Sequence, residues 1–563
     1  MRQFTQLVAA VCLLCSVAAT ATAEMTGYAQ VADDGRAAVA TVQPRATEAA
    51  MEVLAAGGNA IDAAVAAALA LGVVDGHNSG IGGGCFALVH WADGTIEALD
   101  GRETAPMLAS RDMYVVDGKL QRDLSRTGAL ASGIPGSVAV YDYLLQKGGA
   151  LKRQQVYQPA ISLAEKGFAI DQIYAERLAR NREVLARFDG TAQVLLDENA
   201  KPWPAGHVLQ QDDLAKTYKQ LAQHGAKYFY QGEFAAQAEH WMKANGGLIR
   251  KEDFAAYQMH QRAPLRSGYR GYEVVGFGPP SSGGVHVAQI LNVLEPFELA
   301  KLSTLERYHV TAEAMKLAFA DRAYWLGDPA FADVPKNIVS KAYGRTLSDK
   351  IALDKAAVSV EHGTPPQAEV NLFDKHTTHI SVADKAGNWV AITTTVNTDF
   401  GSKVIIPGTG VVMNNQMDDF ASQPGVPNAY GLVGSEANSI APGKRPLSSM
   451  SPTLLLKDGT PVMTLGAAGG PTIITQVVQA LLNTIDLKLP LAEALSASRI
   501  HHQWRPDALY LEATATPELR EGLQALGHTM KVLGPYGSTQ AIGLDEKGFV
   551  AVSEPRLEQR NRH

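Results

Sequence analysis

The residues best placed to do chemistry lie in one short stretch. Thr377-Thr378-His379-Ile380-Ser381-Val382-Ala383 is followed by Asp384-Lys385-Ala386-Gly387-Asn388 and then by Trp389-Val390-Ala391-Ile392-Thr393-Thr394-Thr395. Both arms are rich in β-branched residues and flank a turn-prone cluster, the pattern of two antiparallel strands. With 384–388 as the loop, Ala383 pairs with Trp389, and counting outward sets Thr377 opposite Thr395. Strand side chains alternate faces, so these two hydroxyls meet on one face while Thr378 points to the other. A slip of one residue would undo the arrangement. A threonine hydroxyl is a poor nucleophile without a base, and one solution is a threonine at a chain's own N-terminus, whose free α-amine is that base. The amine has an ordinary pKa of about 8, close to balance at neutral pH. The same residues also fit a plain hairpin with a polar face.

Further motifs follow in order: Asn397-Thr398-Asp399-Phe400-Gly401, Asn414-Asn415-Gln416-Met417-Asp418-Asp419-Phe420, Pro446-Leu447-Ser448-Ser449-Met450-Ser451-Pro452 and Gly466-Ala467-Ala468-Gly469-Gly470. The first half adds Gly57-Gly58-Asn59-Ala60-Ile61-Asp62-Ala63-Ala64, Gly82-Gly83-Gly84, Arg102-Glu103-Thr104-Ala105-Pro106 and Pro279-Pro280-Ser281-Ser282-Gly283-Gly284. Each motif alone is weak, but the ordered set resembles the γ-glutamyltranspeptidases, or glutathione hydrolases, over nearly all of the chain after the first thirty or so residues.

The resemblance implies a four-layer αββα sandwich of the N-terminal-nucleophile type (α/β, α+β), with two subunits cut from one precursor. The order of elements in the sequence is compatible with that fold. It implies cleavage between His376 and Thr377, a large subunit 24–376 and a small catalytic subunit 377–563 that stay together as a heterodimer. Thr377 is then nucleophile and, through its amine, base, with Thr395 beside it. Gly469 and Gly470 match the family's oxyanion hole, where backbone N–H groups meet the developing negative charge; a turn capping the helix at Thr472 is the plainer reading of the same glycines. A γ-glutamyl group carries an α-carboxylate and an α-ammonium. Arg102, Ser448 and Ser449 match the carboxylate side; Asp419, with Asn397 and Gln416, matches the ammonium side. Arg102 or Asp419 alone would read as an ordinary ion pair. Tyr430, within 424–434, fits a lid position near the nucleophile, or else a solvated loop. The expected partners are glutathione and other γ-glutamyl compounds, with water or an amino acid as acceptor; no cofactor and no metal are implied. Two departures from the family pattern stand out: His376 before the nucleophile, and a C-terminus of Glu554-Pro555-Arg556 to His563 without a Gly-Tyr ending.

Two rivals remain. A glutaryl or cephalosporin acylase would keep the fold and bind a group without the α-amine, which would leave Asp419 costly to bury. A periplasmic amino-acid-binding protein, or an inactive γ-glutamyl-binding relative, would need the charge pair but no free threonine.

The bulk of the chain sets the frame. At 563 residues, 46% hydrophobic and 19% charged, it has the composition of a large globular protein. A net charge of -7 with no basic stripe argues against nucleic acid as a main partner. Arg2, the apolar run Leu7 to Ala19 and Ala21-Thr22-Ala23 before Glu24 read as a secretory signal over 1–23, hence a periplasmic or extracellular location. The apolar run is short for a membrane anchor, and bulky Leu14 before Cys15 disfavours a lipoprotein. The mature chain would keep Cys85 alone, a small core residue by its setting. Residues 45–74 read as two helices broken at Gly57-Gly58, with Ala63 to Val74 in an amphipathic setting; 354–376 read as a linker; helices are expected from Thr472 to Asp486 and from Leu491 to Ser498. His501-His502 lacks the company of a metal motif and reads as structural.

Overall fold

Seven strands pair antiparallel throughout in the first of two large sheets. They are β1 (Ala29–Val31), β2 (Ala37–Ala40), β3 (Gly84–His90), β4 (Ile96–Gly101), β5 (His260–Arg262), β8 (Thr378–Asp384) and β9 (Trp389–Thr395), in the order β1-β2-β8-β9-β3-β4-β5. The second sheet is also antiparallel and has six strands side by side: β6 (Leu265–Tyr269), β7 (Tyr272–Gly276), β10 (Thr453–Lys457), β11 (Thr460–Gly466), β12 (Gln540–Asp545) and β13 (Gly548–Ser553). The computed structural model describes residues 27–358, 360, 377–534 and 536–557. The expected signal at 1–23, His376, most of the 354–376 linker and the last six residues lie outside them.

Alternation along the strands builds four layers. In β3, Cys85, Ala87 and Val89 face outward and join Ile380, Val382, Val390 and Ile392 in one apolar cluster. Helices α1 (Pro44–Ala55), α2 (Ala60–Val74), α3 (Ser137–Gly148), α4 (Arg153–Lys166) and α5 (Asp212–His224) complete that cluster. Phe86 and Leu88 point the other way, between the sheets, with Ala383, Trp389 and Ala391 against Val275, Leu454, Leu456 and Ile542 of the second sheet. The Phe86 and Phe277 rings meet there with centroids 4.3 Å apart. The outer face of the second sheet, with Val274, Leu455, Met463 and Leu465, is covered by α6 (Gly283–Leu294), α7 (Thr304–Trp325) and α8 (Thr472–Ile485). This is the expected αββα sandwich.

Helix α2 departs from the amphipathic expectation: all fifteen of its residues are buried. Small alanines let it lie close between the sheet and its neighbouring helices. Asn59 caps it, accepting from Ile61 N (2.9 Å) and Asp62 N (3.1 Å), while Asp62 returns a bond to Asn59 N (3.0 Å). The same helix holds β8 at both ends. Asp384 Oδ2, at the end of β8, accepts from Ala60 N at 2.9 Å. Thr378 Oγ1, at its start, donates to Asp75 just past the helix C-terminus at 2.5 Å. A fifteen-residue helix is about 22 Å long, and a seven-residue strand spans about 20 Å, so the two run alongside each other end to end.

The β8–β9 register is the expected one, with Ala383 opposite Trp389 and Thr378 opposite Thr394. The turn closes through Asp384 N to Asn388 O (3.0 Å) and Asn388 N to Asp384 Oδ1 (3.0 Å). Gly82 and Gly83 pack backbone to backbone on the far side of β9. A Cβ on Gly83 would sit 1.9 Å from Thr395 O, and one on Gly82 2.0 Å from Val412 O. At the other end of the chain, Glu554 and Arg556 are buried in ion pairs to Arg499 (2.6 Å) and Glu512 (2.6 Å), which anchors the tail as far as Leu557. Cys85 is fully buried, and burial pushes its thiol pKa up. No helix among the described residues is long and apolar enough to cross a membrane. Gly83→Ala is expected to destabilise the fold by about 1–3 kcal/mol, as overpacking does. A thermal melt unchanged from wild type would show that the two backbones separate freely.

Candidate active site

Thr377 Oγ1 donates to Thr395 Oγ1 at 3.2 Å, the juxtaposition that the hairpin register requires. Thr395 Oγ1 is itself held by Asn397 N at 2.8 Å. Asn397 has a left-handed backbone (φ 83°), which turns the chain sharply after β9 and aims this N–H back at the threonine. Two residues along β8, on the same face, the buried His379 pairs its Nδ1 with Thr393 Oγ1 (2.9 Å) and its Nε2 with Ser381 Oγ (3.2 Å). Burial pushes His379 down to about 3, so it is neutral and serves as scaffold.

Thr377 and Thr395 open on a pocket lined also by Arg102, Arg322, Asn397, Asp419, Tyr430, Ser448, Ser449 and Gly470. Arg102 follows β4 and is 1% exposed. It donates through Nε to Pro446 O (3.0 Å), and its terminal nitrogens reach Leu447 O (3.3 Å), Glu103 (3.4 Å) and Asp419. Burial raises the Asp419 carboxyl and Arg102 opposes the shift. Asp419 uses Oδ2 for Arg102, and its Oδ1 has no hydrogen-bond partner among the described residues. The expectation that Asp419 would have no partner without a ligand ammonium is therefore corrected in part: Arg102 pairs with its Oδ2, while Oδ1 is left without a partner among the described residues. Glu103, fully buried behind Arg102, is pushed up to about 7 by burial, against the pull of Arg102.

Gln416 is buried outside the pocket lining. Its amide satisfies its neighbours when the nitrogen faces Glu103 Oε1 and Val396 O (3.2 Å each) and the oxygen faces Asn397 N (3.1 Å). It thus braces the Arg102–Glu103 corner and the Asn397 turn. Ser448 Oγ accepts from Met450 N (3.1 Å), and Ser449 Oγ accepts from Arg322 (3.1 Å). Gly469 and Gly470 have left-handed backbones (φ 128° and 54°) ahead of α8, and neither N–H has an acceptor among the described residues. A Cβ on Gly470 would lie 2.7 Å from the Tyr430 ring, so glycine is what lets that ring close over the site. Tyr430 is held in place: its hydroxyl donates to Asn397 O at 2.8 Å, and Ala429 N beside it donates to Asp418 at 2.8 Å.

Sequence reasoning brought nearly all of these residues to one place but missed three contributors. Arg322, in the last turn of α7, follows the apolar run Leu317-Ala318-Phe319-Ala320 and sits next to Asp321, so the sequence offered only an adjacent pair of opposite charges as its signal. Asn438 bridges Asp419 O (2.7 Å) and Leu447 N (3.0 Å), tying the two walls together. Glu103 stood in a quoted motif without a role. His501 and His502 are buried, the former between Thr475 (3.0 Å) and Gln503 (2.9 Å), the latter 3.2 Å from Asp507. Among the described residues no group of three or more His, Cys, Asp or Glu could hold a metal ion.

Two antiparallel sheets between helical layers, with a threonine just ahead of β8 facing a charged pocket, are the architecture of an N-terminal-nucleophile hydrolase. The family model described as gamma-glutamyltranspeptidase matches residues 46–562. The glutathione hydrolase proenzyme of Escherichia coli strain K12 is 43% identical over 524 residues, covering 92% of this chain and 90% of that protein. Among solved structures, the cephalosporin acylase of Bacillus halodurans superposes with a TM-score of 0.83 at 30% identity, covering 92% of this chain and 94% of the other. The γ-glutamyltranspeptidase of Helicobacter pylori superposes with a TM-score of 0.55 at 42% identity, covering 56% of this chain and 92% of that one. This chain belongs to the γ-glutamyltranspeptidase family.

The buried imidazole predicts a pH dependence. The unfolded chain protonates His379 at about pH 6.5, the folded chain only near 3, so its contribution is present above 6.5 and is lost as pH falls through that window. The stability difference between wild type and His379→Gln should therefore shrink by about 1 kcal/mol per pH unit between pH 6 and pH 4. A constant difference in denaturant titrations across that range would contradict it.

Proposed function

We propose that this chain is a self-processing γ-glutamyltransferase and glutathione hydrolase. The observation that carries the reading is the Thr377 hydroxyl, bonded to Thr395 and opening on the pocket that holds the Arg102–Asp419 pair.

In the precursor, the Thr377 hydroxyl attacks the carbonyl of His376. The peptide bond becomes an ester to Oγ, and water releases the chain before it as a carboxylic acid. Two subunits result, 24–376 and 377–563, and Thr377 now carries a free α-amine. That amine takes the hydroxyl proton as Oγ attacks the γ-amide of glutathione or a related compound, and passes it to the leaving amine. The resulting γ-glutamyl ester is taken up by water, giving hydrolysis, or by an amino acid or peptide, giving transfer. Through both steps Thr395 orients the hydroxyl, and the N–H groups of Gly469 and Gly470 meet the oxyanion.

Arg102, Ser448 and Ser449 receive the α-carboxylate of the γ-glutamyl group; the unengaged Asp419 Oδ1, with Asn397 beside it in the lining, receives the α-ammonium, while Gln416 braces that corner from outside the pocket. Tyr430, seated over Gly470, caps the acyl site. The secretory signal read in the sequence at 1–23 supports a periplasmic or extracellular location.

Two experiments test this. Intact mass and N-terminal sequencing after incubation at neutral pH should give two fragments, one beginning at Thr377, whereas Thr377→Ala should remain one chain; a cut Thr377→Ala protein would remove Thr377 from its role. Asp419→Asn should lower kcat/KM for a γ-glutamyl anilide by about 10-fold or more, the scale of a lost charged hydrogen bond, and spare a glutaryl anilide. Equal losses on both would argue that Asp419 only supports Arg102.

A further inference from the structure

Arg322 is a buried cation that makes no ion pair among the described residues; Asp419, which lines the same pocket, acts on its charge only from a distance. Arg322 is 5% exposed, and it lines the pocket from the end of α7. Its Nε donates to Ser282 Oγ (2.9 Å) and one terminal nitrogen to Ser449 Oγ (3.1 Å). Among the described residues it forms no ion pair, whereas Arg102 is engaged by two carboxylates and two carbonyls. A guanidinium has five N–H donors, so these two hydrogen bonds leave donors of Arg322 uncommitted among the described residues. Burial lowers it only to about 10, and it stays charged at neutral pH. Taking such a charge out of water is costly without a counter-ion.

Its contacts lead to one place. Ser282 accepts from Arg322 and, through its own hydroxyl, donates to Ser448 O (2.7 Å), with its N–H on the same carbonyl (2.8 Å). Arg322 and Ser282 thereby brace the segment that presents Ser448 and Ser449. A serine hydroxyl has one proton to give. Ser449 Oγ accepts from Arg322 and donates to no acceptor among the described residues, so its proton is available to the pocket. A hydroxyl that accepts from a cation is polarised and donates more strongly to an anion.

We infer that Arg322 is the positioning residue that makes the Ser449 corner of the pocket specific for a carboxylate, the α-carboxylate of the γ-glutamyl donor. The assignment rests on the γ-glutamyl reading of the pocket. It adds a second cation, from the opposite sheet's helical layer, to the one the sequence motifs suggest.

Three p-nitroanilides separate the parts: γ-glutamyl carries carboxylate and amine, glutaryl the carboxylate alone, and 4-aminobutanoyl the amine alone. In the processed enzyme, Arg322→Gln should lower kcat/KM for the γ-glutamyl and glutaryl compounds roughly 10- to 100-fold, the range of a charged hydrogen bond, mainly through KM. The 4-aminobutanoyl compound should change by no more than about twofold on the same argument. Ser449→Ala should reproduce that selectivity, and the double variant should be no worse than either single one, because the two act as a unit. Arg322→Lys, which keeps the charge but reaches fewer partners, should fall between. Equal loss on all three substrates, or none on γ-glutamyl, overturns the inference. So does failure of both Arg322 variants to self-process, which would make the arginine a requirement of the precursor's fold. A wild type that prefers the glutaryl compound would instead overturn the γ-glutamyl reading, and the glutaryl to 4-aminobutanoyl comparison would still report on Arg322.

Discussion

The rest of the site depends on the clamping of β8 along α2. Thr378 is tied to Asp75 at one end of the helix and Asp384 to Ala60 N at the other. A strand bonded only to its sheet neighbours can slide in register by two residues and keep its faces. A strand pinned at both ends to a buried helix of matching length cannot. Thr377 is therefore fixed along the strand axis as well as across it, and Asp384, shared between helix and turn, ties the same clamp to the register of β9.

Around that fixed point the pocket is charged, and its charges come from separate parts of the fold. Arg102 extends from β4, Asp419 from the segment after β9 and Arg322 from a helix on the second sheet. In a water-poor site each carries more weight than it would at a surface. The bracing groups are neutral, namely Asn438, Ser282 and Gln416, and they set the distances between the charges without adding to them. Arg102 and Asp419 are in direct contact, so the opposite charges that would meet a ligand sit side by side, and backbone carbonyls at 446 and 447 hold Arg102 to its wall.

The hairpin and its threonines were readable because their information is local: β-branched arms, a turn-forming Asp-Lys-Ala-Gly-Asn and a period of two determine who faces whom. Gly80–Gly84 was readable as close backbone packing for the same reason, and the Gly83–Thr395 approach realises it. Arg322 was not, because its meaning arises from Ser282 and Ser449, forty and more than a hundred residues away in sequence. The direct Arg102–Asp419 pair was missed likewise: sequence shows two opposite charges suited to a ligand, and only the fold shows that they suit each other. Helix α2 looked amphipathic because alanine is a poor marker of burial, being at home on either side of an interface. The parallel pairing of Leu509–Glu512 with Met530–Leu533 needed a crossover that no short-range pattern announces.

The strand order of the first sheet has a consequence for the life of the molecule. β8 and β9 lie between β2 and β3, so the strands after the proposed cut are flanked on both sides by strands from before it. Cutting the chain there opens no seam. The two pieces remain threaded through a shared ladder of backbone hydrogen bonds and can part only by unfolding. The intact precursor reaches this arrangement as one chain, whereas the severed halves would have to find each other in solution, each with unpaired strand edges prone to aggregate. Maturation is thus a one-way valve: folding becomes a step that the enzyme performs once, and its durability afterwards is set by an unfolding rate and not by an equilibrium.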